Sequence, residues 1–253
     1  MNVIVGALNG NFSLYSKALE LVGGTGFLYL LGDFIGYGGS QLFEDAISNE
    51  RVKLILGKHE LDVIDAYYDL GSEFLKKELK KQKWFNKFCE SLNRSLESVA
   101  EALIKIPVFR YQNGVFLGSM SAVPVNYEVD TCISFEQCLL GDSAYYADQL
   151  RRACSVSELD TTDVLSLDCP CIFSGSCVQG YRMKGSSMSL DDIANLSMCE
   201  NVQGMREWIR ELTIPVKKGN SIFINSGLYE VQNDYCLCIK EENEKFKASY
   251  LFS

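Results

Sequence analysis

Over its first 65 residues the chain alternates short apolar runs with amphipathic stretches, and this pattern restricts the fold more than any other feature. NVIVGAL (2–8) reads as a strand, and the NGN after it as a turn. FSLYSKALELVG places Leu14, Ala18, Leu21 and Val22 at helical spacing, with Gly23 and Gly24 as the stop. FLYLLGDF is a second strand followed by a glycine-rich loop, SQLFEDAISN a second helix, and VKLILG a third strand. The strands are apolar throughout, as strands covered on both faces must be. A repeat of this kind predicts an α/β protein built on parallel βαβ units.

The remaining residues change character. Residues 66–105 read as helical, charged with apolar positions at i, i+3 and i+4, and are expected to form a helical insertion or cap. IPVFRYQNGVFLGSM predicts two strands joined around Asn113-Gly114. CPCIFSG, SIFINSG, DYCLCIKEE and FKASYLF predict further strands, with a polar helical stretch over 189–212. With only 4 prolines and no Ser/Gly/Pro-rich linker or block of like charge, residues 1–253 are read as one domain.

Charge and composition exclude several classes. A net charge of −9 argues against general nucleic-acid binding and against anionic membranes, since both require a positive surface. The local exception is KKELKKQKWFNKF (76–88), read as a solvated helix face with its apolar side on the core, or else as a docking surface for an acidic partner. No apolar run approaches the roughly 20 residues that span a bilayer, and MNVIVGALNGN lacks the basic start of a secretory signal. An intracellular, cytoplasmic protein is therefore expected, and its 10 cysteines are expected to be reduced. The CxC pairs Cys169/Cys171 and Cys236/Cys238 lie in strand-like runs, where thiols act as small hydrophobes. With one histidine in the chain, the usual Cys/His zinc sets cannot be completed.

That histidine, His59, lies in LILGKHELD, where an apolar strand breaks at Gly57 and presents Lys58, His59 and Glu60 together. In α/β sheets polar groups that do chemistry gather beyond the carboxyl ends of strands. VIVGALNGN, LYLLGDFIGYGG, KLILGKHE, CIFSGSCVQG and SIFINSGLYE are five such ends. Their order and spacing resemble the calcineurin-like metallophosphoesterases, most closely the phosphoprotein-phosphatase and diadenosine-tetraphosphatase-like branch, and the resemblance is densest over residues 1–65. It implies a four-layer α/β/β/α sandwich carrying the helical insertion.

The departures fall where that family holds its metals. The Asp and His of GDxHG fall on Ala7 and Asn9, and the Asp-Arg pair of GDxxDRG on Gly36 and Tyr37. The ligand Asn of GNHE is Lys58, the phosphate-clamping Arg is Leu56, and the GH histidine is Ser176. The fourth-motif histidine should lie near Ser119 or Met120 and is absent. Asp33, His59 and Glu60 keep the family's identities. No metal and no cofactor is expected, because two hard cations need carboxylate, imidazole and amide ligands held together. Lys58 is expected to replace the cations by pairing with Asp33 within about 4 Å.

Three functions follow from that resemblance. The first is a catalytically inactive binding or scaffold component with protein partners, in which Asp33 and His59 are vestigial. The second is a divergent phosphoesterase that still uses Asp33 and His59. The third is a phosphate or nucleotide sensor without turnover, with Lys58 contacting phosphate as a point charge. Glu60, Asn9, Asn11, Ser176 and Asn225 are the other polar candidates for binding at the strand ends.

Overall fold

In the computed structural model the described residues are 1–67, 73–112, 115–118, 133–134, 171–174, 216–218, 221–224, 235–242 and 245–252. They form a mixed α/β fold with a central sheet flanked by helices. The elements of the first half run β1 (Asn2–Val5), α1 (Phe12–Glu20), β2 (Leu28–Leu31), α2 (Gln41–Ala46), β3 (Val52–Ile55) and α3 (Lys58–Tyr67). Three helices follow: α4 (Glu73–Leu79), α5 (Lys83–Ser91) and α6 (Leu96–Leu103). The remainder is strand: β4 (Pro107–Gln112), β5 (Val115–Gly118), β6 (Ile133–Ser134), β7 (Cys171–Ser174), β8 (Val216–Lys218), β9 (Ser221–Ile224), β10 (Tyr235–Glu242) and β11 (Lys245–Phe252).

The first sheet has the order β11-β10-β1-β2-β3. The strands β1, β2 and β3 are parallel, as the apolar repeat predicts, and β1 and β2 are adjacent at its centre. All four residues of β2 are buried, which is why LYLL carries no alternation. The hairpin β10–β11 closes the antiparallel side, with Cys236 and Cys238 buried in the core. The second sheet has the order β6-β4-β5-β7-β9-β8, in which β5, β7 and β9 are parallel. Its β4–β5 hairpin pairs Gln112 with Val115 across the two-residue Asn113-Gly114 connection. The sheets meet where Leu56 N–H donates to the Pro107 carbonyl at 2.8 Å. The helix expected over 189–212 lies outside the described residues, as does any layer it would add to the expected four-layer sandwich.

The helices are fixed by identifiable contacts. Asn11 Oδ1 accepts from Leu14 N at 3.1 Å and caps α1, which turns Leu14, Tyr15 and Ala18 onto the sheet. Residues 66–105 contain the end of α3 and all of α4, α5 and α6. Trp84, Phe85, Phe88 and Leu79 are buried as expected; the side chains of Phe74 and Leu75 lie outside the described residues. Phe88 meets Phe43 of α2 edge-on at 5.9 Å. Beside it the buried Ser40 donates its N–H to Ser91 Oγ and its hydroxyl to the Ser91 carbonyl, and Arg94 takes both carboxylate oxygens of Glu44. These contacts hold α5 and the turn after it against α2 and the loop that follows β2.

Candidate functional site

Three strand ends converge: the turn after β1 (Ala7–Asn11), the loop after β2 (Gly32–Gly39), and Gly57 with the first turn of α3. They touch backbone to backbone. A Cβ on Gly57 would stand 2.2 Å from Asp33 N, and one on Gly38 would stand 2.1 Å from Gly10 O, so only glycine fits either place. Asn9 and Asp33 are both in the left-handed region, at φ 50° and 45°. Asn9 N–H donates to Asp33 O at 2.7 Å, and Gly38 N–H to Asn9 O at 2.9 Å. Close packing thus accounts for Gly38 and Gly57, and positive φ for Gly10, Gly32 and Gly39.

The polar side chains serve this backbone. Glu60, fully buried, accepts from Asp33 N and Gly57 N on Oε2, each at 2.8 Å, and from Ile35 N on Oε1 at 2.9 Å. Burial, and then the neighbouring Asp33 charge, pushes its carboxyl above the ordinary glutamate range, against the pull of the three N–H groups. Asp33 Oδ1 accepts from His59 N at 3.0 Å, satisfying an N–H of the first turn of α3. His59 Nδ1 lies 3.0 Å from the Ile35 carbonyl; since a carbonyl only accepts, Nδ1 carries the hydrogen. The imidazole is covered by the Trp84 indole of α5, stacked at 4.0 Å between centroids and 17° between planes.

Lys58 departs from expectation. It is exposed, and among the described residues no ion pair joins it to Asp33. Asp33 already meets the positive end of α3 through the His59 N–H, so it has no need of an ammonium. Lys58 acts instead on Asp62, one turn further along α3. Burial raises the Asp62 carboxyl to about 6, with Lys58 and His59 holding it down. Asn9 is buried, and its Oδ1 has no hydrogen-bond partner. Asn11 caps α1, while Ser176, Asn225 and the fourth-motif region near Ser119 and Met120 lie outside the described residues. Two participants were not anticipated. Trp84 gave no signal, since no sequence spacing places a residue of α5 over His59. Asp62 stands one turn after Lys58 and was legible as an i,i+4 neighbour.

A two-metal centre does not fit these residues. Both oxygens of Glu60, one oxygen of Asp33 and Nδ1 of His59 are engaged by the backbone, and Ala7 offers no donor side chain. Among the described residues no three His, Cys, Asp or Glu side chains are grouped to hold an ion.

No protein-family model matches the chain, and no curated protein matches it. A solved protein serine/threonine phosphatase from Saccharomyces cerevisiae, described as similar to a human phosphatase, aligns over 100% of this chain and 79% of its own. The identity is 12% and the TM-score 0.42, a likeness too loose to assign fold family or activity.

Proposed function

We propose that this chain is a calcineurin-like metallophosphoesterase that has lost its metal centre and acts as a binding or scaffold component for other proteins. The supporting sequence feature is the ordered set of strand-end motifs with ligand positions replaced at Ala7, Asn9, Lys58 and Ser176. The observation that carries the reading is the use of Glu60, Asp33 and His59 to tie β2, β3 and α3 together, beneath Trp84. A phosphoesterase needs a phosphate and an attacking water held in line beside such groups. Here the imidazole face is occupied by an indole.

The test is turnover of nitrophenyl phosphate and dinucleoside polyphosphates by the purified protein with added Mn²⁺, Mg²⁺ or Zn²⁺. The expected result is no turnover above buffer, with wild type and His59→Ala alike. Metal-dependent turnover lost in His59→Ala would replace this reading with a divergent hydrolase.

A further inference from the structure

We draw no further inference here: the strongest candidate, the open cleft walled by Tyr67, Leu79, Phe85, Cys89 and Leu96 between α3, α4, α5 and α6, is an unpartnered apolar face, and nothing in the structure shows what covers it.

Discussion

Glu60 and Asp33 bring two carboxyl groups into one dry site, where three N–H groups converge on the first and a helix N-terminus on the second. Such a site tolerates little change in shape. Gly57→Ala drives a methyl group into Asp33 N, and is expected to cost about 3 kcal/mol or more in urea unfolding. Asp62 lies on the same helix and titrates differently. Its carboxyl is raised by burial from 3.8 to about 6, so the native state holds a proton that the unfolded chain releases. Its contribution is therefore present below pH 4 and lost as pH rises to about 6. Asp62→Asn should match wild type near pH 4 and exceed it by on the order of 1–2 kcal/mol above pH 6, a difference that pH-dependent denaturation would read. Here the sequence was only half legible. The sequence pointed to Asp33, His59 and Glu60, and the structure brings these three together at the strand ends. Their hydrogen bonds to main chain were not legible, because a backbone partner leaves no mark on residue identity. The Lys58–Asp33 pair failed for that reason: the Asp33 partner is a peptide N–H.

At the scale of elements, α5 covers the site through one residue. Trp84 lies over His59 while Phe85 and Phe88 enter the core, so the helix is held by all three aromatics. Trp84→Ala should lower stability by about 3–5 kcal/mol and expose the imidazole. Because His59 is the only histidine, diethyl pyrocarbonate reports it without ambiguity. Wild type should react slowly and Trp84→Ala rapidly, with Trp84→Phe close to wild type; equal rates would show that the indole does not shield the ring. The Arg94–Glu44 pair at the surface of the same junction should matter far less, with Arg94→Ala costing about 1 kcal/mol or below in thermal unfolding. Periodicity announced α1 and α2, and helix over 66–105 as one stretch, without the breaks that separate α4, α5 and α6. The strands β6 and β8 went unread: with Ile133–Ser134 and Val216–Lys218 as their whole length, a period of two has no room to appear.

For the whole molecule, the parallel trio β1-β2-β3 and the hairpin β4–β5 were legible, because continuous apolar runs and a two-residue Asn-Gly link are local signals, whereas β10 and β11 were read as strands but not as a pair. The order of strands in the second sheet was not legible, since it depends on pairings between residues far apart in sequence, such as Phe116 with Cys171 and Cys171 with Ser221. The central claim is the one proposed above: Asp33, His59 and Glu60 are committed to main-chain hydrogen bonds at the strand ends and hold no metal ions. Its most direct test is metal stoichiometry. Protein equilibrated with Mn²⁺, Fe²⁺ or Zn²⁺ and then desalted should retain below about 0.1 ion per chain by elemental mass spectrometry, with Asp33→Ala no different. One or two ions per chain, lost in Asp33→Ala, would contradict it.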